Sequence, residues 1–321
     1  MVFSRSATLL FALAGLGALL LSPAAAAPAP AFNTTASVPD LMRRSTTALS
    51  TAQESAFLPY SYYAGAGYCQ PASIKAWDCG VNCAANPSFI PLATGGDGSV
   101  TQYWYVGYDT ALQEVIVAHQ GTLTSAILPL LEDLFIAQSN LDSSIFPGVK
   151  SSVKVHSGFK NSHARSAHDV LAAVKSALAT YKTTKVVVTG HSLGAALGLL
   201  DSMMLVMSLP SASVRFIGYA LPGVGNQAWA NAVDAQASRL SVTHVNNKKD
   251  LIPTLPGLWL GFHQPSGEVH IQNDESWVAC SGQDNKNRNC ILGAVPTIFS
   301  GDLDDHYGPY DGVTMRTEMC N

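Results

Sequence analysis

The sequence predicts an α/β protein with a mostly parallel, buried central sheet and helices on both of its faces. Apolar, β-branched runs such as Val186–Val188 alternate along the chain with longer segments that have helical apolar spacing. Residues 28–321 have the length of one large α/β domain. Ser192 stands between two glycines where a strand-like run passes into a helix-like segment. Because parallel sheets carry their sites at the carboxyl ends of strands, we expect the site at Ser192.

Residues 1–27 have the pattern of a secretory signal peptide. Arg5 precedes the apolar stretch Leu9–Leu21, and the small residues "SPAAAA" follow at the expected cleavage site. We therefore predict a signal peptide over 1–27, with a short propeptide to about residue 40 as an alternative, and a single domain over 28–321. An uncleaved N-terminal helix is the other interpretation. No later stretch is long and apolar enough to be an integral membrane anchor, so we expect a secreted, extracellular protein.

Composition and charge exclude several classes of partner. The chain has 18 Lys and Arg against 22 Asp and Glu, a formal net charge of −4, and no basic block. A nucleic-acid partner is therefore not expected. We expect no cofactor and no metal, since the histidines do not stand at zinc-ligand spacings from the cysteines. Asn33 in "NTT" is the one N-glycosylation acceptor, because Pro87 follows Asn86.

All the cysteines lie after the leader, and their number is even. In an exported chain this predicts disulfides, although spacing alone cannot choose among the possible pairings. Cysteines that are close in sequence can close two short loops, which leaves one pair that spans the domain. This interpretation gives Cys79 with Cys83, Cys280 with Cys290, and Cys69 with Cys320.

The apolar pattern places elements on both sides of Ser192. Before it, the pattern predicts a helix over 38–57, strands over 101–107 and 113–119 with a turn around Asp109, an apolar segment over 123–136, and a helix over Ala164–Tyr181. After it come a strand over 213–220, a helix near 226–238 and a strand over 240–247. Strands that alternate with helices in this way indicate a parallel sheet.

The stretch "KVVVTGHSLGAALGLL" predicts a sharp turn between a buried strand and a packed helix. The valines favour the strand, and Ala195–Met207 has the helix formers and apolar spacing of the helix. A side chain at Gly190 or Gly194 would collide with the neighbouring strand or helix, so glycine is required at both positions. This is the geometry of a nucleophile elbow with Ser192 as the nucleophile.

A serine hydroxyl becomes a good nucleophile when a histidine takes its proton and a carboxylate orients that histidine. The histidines after Ser192 are His244, His263, His270 and His306. His244 alternates within a strand, which indicates a satisfied sheet residue. His306 lies in the loop "DLDDHYGPY", and catalytic histidines are commonly carried on loops. We therefore predict His306 as the base.

Asp250 is the predicted acid, because it follows the strand over 240–247 and precedes the prolines of "LIPTLP". Asp304 and Asp305 are too close to His306 in sequence to reach its ring without strain, and we interpret both as solvent-facing loop residues. Asp201 lies nine residues after Ser192 on the elbow helix, which places it out of reach.

These motifs resemble those of the class 3, fungal-type lipases, a family that includes the Rhizomucor and Thermomyces triacylglycerol lipases and the type A feruloyl esterases. The likeness extends over nearly the whole mature chain and is carried by "YCQPASIKAWDCGVNC", "HQGT", "VKVHSGF", "VTGHSLGAALG", "YALPGVGNQAWAN", "NNKKDLIPTLP" and "HYGPY". The resemblance implies an α/β-hydrolase fold with a short lid over the active site. It also implies the triad Ser192, Asp250 and His306 and the same disulfide pairing.

Two backbone N–H groups are expected to form the oxyanion hole. One is that of Leu193, directly after the nucleophile. The resemblance places the other at Thr122 of "HQGT", with the threonine hydroxyl assisting; a plain turn after a strand is the alternative interpretation. The family usually has arginine where Gln120 stands, and that arginine can pair with an acidic lid residue.

The segment after Thr122 occupies the place of the family's lid. Its apolar residues are Leu123, Ile127, Leu128, Leu130 and Leu131, and Pro129 is a good first residue for a short helix. An ordinary core helix is the alternative, and the family's usual lid tryptophan is absent. A second apolar loop, "LPGLWLGF", carries Leu258, Trp259 and Leu260. Together the two segments predict a rim suited to acyl chains.

The sequence thus predicts a secreted serine carboxylester hydrolase, most simply a triacylglycerol lipase that acts as a monomer on a lipid ester at an oil–water interface. A feruloyl or short-chain esterase on the same triad is the first alternative. An inactive lipid-binding relative is the second.

Overall fold

The structure is a computed structural model that describes residues 45–122 and 137–320. The predicted signal peptide, Asn33 and the predicted lid residues Leu123, Ile127, Leu128, Leu130 and Leu131 lie outside the described residues. Within the described ranges, no helix has the length and apolar character needed to cross a bilayer.

A nine-stranded sheet organises the described part of the chain. The strands are β1 (Thr46–Ala48), β2 (Phe89–Gly95), β3 (Trp104–Asp109), β4 (Glu114–His119), β5 (Gln138–Asn140), β6 (Lys154–His156), β7 (Lys185–His191), β8 (Ser213–Tyr219), β9 (Leu240–Asn247), β10 (Glu268–Ile271) and β11 (Trp277–Cys280). The large sheet has the order β1-β11-β10-β9-β8-β7-β4-β3-β2, while β5 and β6 form a separate pair. Its central strands β4, β7, β8, β9 and β10 run parallel, and the strands on either edge pair antiparallel.

Helices cover both faces of this sheet. They are α1 (Thr51–Ser55), α2 (Leu58–Ala66), α3 (Pro71–Ala76), α4 (Val81–Ala84), α5 (Ser157–Ala164), α6 (Ala167–Tyr181), α7 (Leu193–Ser208), α8 (Gln227–Asp234) and α9 (Ile291–Ala294). Val186 and Val188 pack into the apolar cluster that contains α6 and α7, whereas Val187 packs into the cluster that contains α2. Because successive strand residues point to opposite faces, the valine run is buried on both sides. The predicted fold class is confirmed.

The structure corrects the bounds of two predicted helices. In the segment predicted as a helix over 38–57, Thr46–Ala48 is an edge strand that pairs with β11, and α1 begins only after Ser50. The β-branched threonines favour this pairing with a distant strand, which local periodicity does not reveal. The helix predicted over Ala164–Tyr181 is divided between α5 and α6, because the chain turns at residues 165–166.

Three disulfides tie the fold together, and they are the pairs proposed from the sequence: Cys69–Cys320, Cys79–Cys83 and Cys280–Cys290. The first joins residues 251 positions apart and so links the end of the described chain to the segment after α2. Cross-linking so long a loop removes entropy from the unfolded chain.

Glu268 is a buried carboxyl group close to one of these disulfides. One carboxyl oxygen accepts a hydrogen bond of 2.6 Å from the backbone N–H of Ile291, and the carboxyl group also lies near the sulfur atoms of Cys280 and Cys290. Those sulfurs are bonded to each other and are therefore not thiolate ligands for a metal. Burial raises the pKa of Glu268 to about 7. A group that binds its proton more tightly in the folded state makes stability depend on pH.

We expect the stability of the wild-type protein relative to Glu268→Gln to fall as the pH rises. The protonated Glu268 contributes its full stabilisation below the ordinary pKa of 4.5. By about pH 7 the free energy of unfolding has fallen by about 3 kcal/mol, because the unfolded chain has released a proton that the folded chain retains. Glutamine preserves the acceptor for Ile291 and does not titrate. Urea unfolding of both proteins at several pH values measures the difference. Parallel pH dependences would contradict the expectation.

Candidate active site

Ser192 lies on a sharp turn between β7 and α7. Its backbone has φ +58° and ψ −125°, which is unusual for a residue with a side chain. A β-carbon on Gly190 would lie 2.5 Å from the backbone of Gly194, and one on Gly194 would lie 2.3 Å from the carbonyl oxygen of His119. The two glycines are therefore required by close backbone packing. The turn presents Ser192 at the carboxyl end of a central parallel strand, as expected for a nucleophile elbow.

His306 and Asp250 form a fully buried pair. His306 Nδ1 lies 2.9 and 3.1 Å from the two carboxylate oxygens of Asp250, and Asp250 also accepts a hydrogen bond from the N–H of Ile252. Because a carboxylate only accepts, Nδ1 carries a ring proton, and the neutral tautomer compatible with this contact has its lone pair on Nε2. Nε2 is buried and has no hydrogen-bond partner among the described residues. This is the protonation state that a general base needs.

The backbone of His306 is fixed beside the elbow. Its carbonyl oxygen accepts hydrogen bonds from His191 Nε2 at 2.7 Å and from the hydroxyl of Tyr310 at 3.1 Å. Because His191 donates through Nε2, its Nδ1 accepts from the hydroxyl of Tyr68 at 2.6 Å. Burial and the nearby His306 hold the pKa of His191 well below its usual value, so His191 is neutral. These contacts join the loop of His306 to the residue that precedes Ser192.

The loop from His119 to Thr122 reaches the other side of the elbow. A β-carbon on Gly121 would lie 2.5 Å from the carbonyl oxygen of His191, so this loop and the elbow are in direct contact. Thr122 is buried, and its hydroxyl has no hydrogen-bond partner among the described residues. Leu193 is the first residue of α7, where backbone N–H groups are not used by the helix itself. Two donor candidates therefore lie on segments that flank Ser192.

The other acids and histidines considered from the sequence have different partners. Asp201 bonds His119 and His163, so it does not orient His306. His244 lies in β9 as expected, and its Nε2 bonds the carbonyl oxygen of Pro265, but its buried Nδ1 has no hydrogen-bond partner among the described residues. Asp304 is exposed as expected, whereas Asp305 is only partly exposed and its carboxylate accepts a hydrogen bond from the N–H of Lys249. His263 bonds the carboxylate of Asp284. His270 bonds the backbone carbonyls of Lys248 and Asn289.

Exposed apolar side chains lie on the two segments that carry the acid and the histidine. Trp259 is 79% exposed, whereas its neighbours Leu258 and Leu260 are half-buried. Phe299, which the sequence analysis missed, is 92% exposed and precedes the loop of His306. The adjacent Gly301 packs on Leu251, so this segment adjoins that of Asp250. The available signal in the sequence was an aromatic residue a few positions before the loop that carries His306.

Other residues of the site were also missed by sequence reasoning. Tyr68 begins the motif "YCQPASIKAWDCGVNC" and Tyr310 ends the loop motif "DLDDHYGPY", but neither was assigned a role. His191 stood inside the elbow motif itself, next to Ser192. Their roles depend on hydrogen bonds between distant segments, which motif spacing does not specify.

Comparisons with known proteins show similarity to lipases. The family model described as lipase (class 3) matches residues 116–259, which include Ser192 and Asp250. A secreted mono- and diacylglycerol lipase of Malassezia globosa is 33% identical over 221 residues, which cover 68% of this chain and 70% of that protein. The structure of lipase II from Rhizopus niveus is 26% identical with a TM-score of 0.72, and the match covers 85% of this chain and 100% of that chain. The native Rhizomucor miehei lipase propeptide complex is 25% identical with a TM-score of 0.72, and covers 84% of each chain.

Proposed function

This chain belongs to the class 3 lipase family, and on that premise we propose that it is a secreted serine lipase that hydrolyses acylglycerol esters. The observation that carries the proposal is the buried His306–Asp250 pair, whose Nε2 has no other hydrogen-bond partner among the described residues, beside a serine on a nucleophile elbow. This arrangement supports acyl transfer through a covalent serine ester.

In the proposed mechanism, His306 Nε2 takes the proton of Ser192 Oγ as that oxygen attacks the ester carbonyl carbon. Asp250 holds the Nδ1–H and stabilises the imidazolium that forms. The N–H groups of Leu193 and Thr122 donate to the developing oxyanion, with the hydroxyl of Thr122 assisting. The C–O bond to the alcohol then breaks, and the alcohol leaves with the proton from His306.

The second half of the reaction repeats these roles with water. His306 removes a proton from a water molecule, whose oxygen attacks the acyl-enzyme. The tetrahedral intermediate collapses, the bond to Ser192 Oγ breaks, and the serine regains its proton from His306. A fatty acid is released and the enzyme returns to its starting state.

The substrate is a lipid ester at an oil–water interface. Trp259 and Phe299 expose large apolar areas beside the loops of Asp250 and His306, and an apolar surface of this kind suits contact with lipid. Triacylglycerol is the substrate predicted from the sequence. Partial acylglycerols are a second candidate, because the Malassezia relative is named a mono- and diacylglycerol lipase.

A panel of esters tests this proposal. The purified secreted protein is assayed with monoolein, diolein, triolein, tributyrin and methyl ferulate by titration of the released acid. We expect the acylglycerols to be hydrolysed at least about tenfold faster than methyl ferulate. The order among the oleins decides between triacylglycerol and partial acylglycerols. Preference for methyl ferulate would favour the esterase alternative, and no hydrolysis at all would favour the lipid-binding alternative.

We propose in addition that residues 1–27 are removed on secretion and that 28–321, after any short propeptide is lost, is a single monomeric domain. The supporting observations are the apolar leader with its small-residue end and the even cysteine count. Sequencing the N-terminus of the secreted protein and measuring its mass in solution would test both points.

A further inference from the structure

The backbone from His119 to Thr122 leaves the sheet and runs against the elbow, and the side chains of its first two residues make hydrogen bonds that hold it in place. We infer that Gln120 and Asp201 are positioning residues that set the position of this segment, and thereby the direction of the N–H of Thr122. The inference rests on the proposed function, in which Thr122 donates to the oxyanion.

The side-chain oxygen of Gln120 takes the place of a main-chain acceptor at the end of the sheet. The antiparallel ladder of β3 and β4 ends at the pair of Trp104 with His119, and the next pair is Tyr103 with Gln120. The N–H of Gln120 donates to the carbonyl oxygen of Tyr103 at 2.8 Å, as in a regular ladder. The N–H of Tyr103, however, donates to the side-chain oxygen of Gln120 at 2.9 Å.

The consequence is that the carbonyl group of Gln120 is not bound by Tyr103 and the chain can leave the sheet. It turns towards α7, where a β-carbon on Gly194 would lie 2.9 Å from the carbonyl oxygen of Gln120. The side chain must be a hydrogen-bond acceptor for this to occur. Arginine, which the resembling family usually has here, carries no acceptor and cannot hold Tyr103 in the same way.

Asp201 holds His119, the first residue of the segment and the neighbour of Gln120. One carboxylate oxygen lies 2.6 Å from His119 Nε2 and the other lies 2.8 Å from His163 Nε2. All three side chains are buried. Burial by itself would raise the pKa of Asp201, but the two histidines hold it at about 2, so the carboxylate is ionised and accepts from both rings. Asp201 thus ties the last residue of β4 to α7, the helix that follows Ser192, and to α5.

Gly121, which follows these two residues, is also closely confined. A β-carbon on Gly121 would lie 2.1 Å from the hydroxyl oxygen of Tyr68 and 2.5 Å from the carbonyl oxygen of His191. A shift of the segment therefore changes the position of Thr122 relative to Leu193 and Ser192. Stabilisation of an oxyanion depends on donors that are already in place, and a displacement of about 1 Å can cost on the order of a hundredfold in rate.

The first experiment replaces Gln120 by methionine, arginine or glutamate. Methionine has a similar shape without the acceptor, and glutamate retains an acceptor oxygen. The side chain borders a cavity of about 490 Å³, which gives the larger arginine room. We expect kcat to fall about tenfold in Gln120→Met and Gln120→Arg with KM changed by less than about twofold, and Gln120→Glu to restore part of the loss.

Gln102→Met is the matched control. Gln102 precedes Tyr103, and its side chain accepts a hydrogen bond of 2.9 Å from the hydroxyl of Ser162 and donates to the carbonyl oxygen of Ser99, so its hydrogen bonds lie outside the segment 119–122. We expect its kcat to stay near that of the wild type. A boronic acid, which forms a tetrahedral adduct with serine, should bind about tenfold more weakly to Gln120→Met and unchanged to Gln102→Met.

The second experiment compares Asp201→Asn with Asp201→Leu. Asparagine can still accept from one ring, whereas leucine leaves two buried N–H groups without an acceptor, so we expect the larger loss of kcat in Asp201→Leu. If these variants do not fold, as judged by circular dichroism and thermal unfolding, the Gln120 series decides. Wild-type kcat and boronic acid affinity in Gln120→Met would overturn the inference, as would an equal loss in Gln102→Met.

Labelling Ser192 with a phosphonate ester separates this inference from the proposed function. If the wild-type protein is not labelled at Ser192, the proposed function fails. If Ser192 is labelled and the Gln120 and Asp201 variants turn over normally, the positioning inference alone fails.

Discussion

Replacing Ser192 by alanine should reduce kcat by about 10⁶-fold and leave the fold intact. Alanine has the same β-carbon as serine, so the backbone strain at φ +58° is unchanged, while the nucleophilic oxygen is lost. Removal of the nucleophile of a serine hydrolase leaves only the catalysis that binding and the oxyanion hole supply. Titration of the acid released from an acylglycerol measures the loss, and thermal unfolding should show an unchanged protein.

Ser202→Ala provides the matched control. Ser202 is a buried serine on the same helix, and its hydroxyl donates to the carbonyl oxygen of Gly198 at 2.8 Å. It lies two turns and more away from the elbow, so its loss should leave hydrolysis close to the wild-type level. Wild-type activity in Ser192→Ala would show that another residue is the nucleophile.

Replacing Asp250 by asparagine should reduce kcat by about 10⁴-fold. The amide oxygen can keep the hydrogen bond from Ile252, so the loop should remain folded. The amide removes the charge that stabilises the imidazolium and permits the tautomer of His306 that has its proton on Nε2, which cannot accept the proton of Ser192. Steady-state kinetics with a soluble short-chain ester measures this loss without involving a lipid surface.

Asp305→Asn is the comparison for this result. Asp305 directly precedes His306 in sequence, but its carboxylate accepts a hydrogen bond from the N–H of Lys249. The carboxylate that lies 2.9 Å from His306 Nδ1 is that of Asp250. We expect Asp305→Asn to lower kcat by less than about tenfold. A loss as large as that of Asp250→Asn would show that the acid has been assigned to the wrong carboxylate.

Local patterns predicted the centre of the fold well and its edges poorly. The valine run and the glycines around Ser192 specify a buried strand, a turn and a helix within sixteen residues, so neighbouring side chains contain nearly all the information. The strand β1 was predicted as a helix because its identity depends on β11, which is more than 200 residues away in sequence. Edge pairing of this kind is decided by tertiary contact and not by periodicity.

The sequence by itself determined the chemical groups of the site: a serine on a strand-to-helix turn, a histidine in a loop and an acid at the end of a strand. Tertiary structure alone decided how they are used. It gave His306 its tautomer through Asp250, committed Asp201 to His119 and His163, and made Gln120 an acceptor for Tyr103. The physical reason is that a hydrogen bond depends on distance and direction between atoms, and the residues concerned are brought together only when the sheet and its helices have packed.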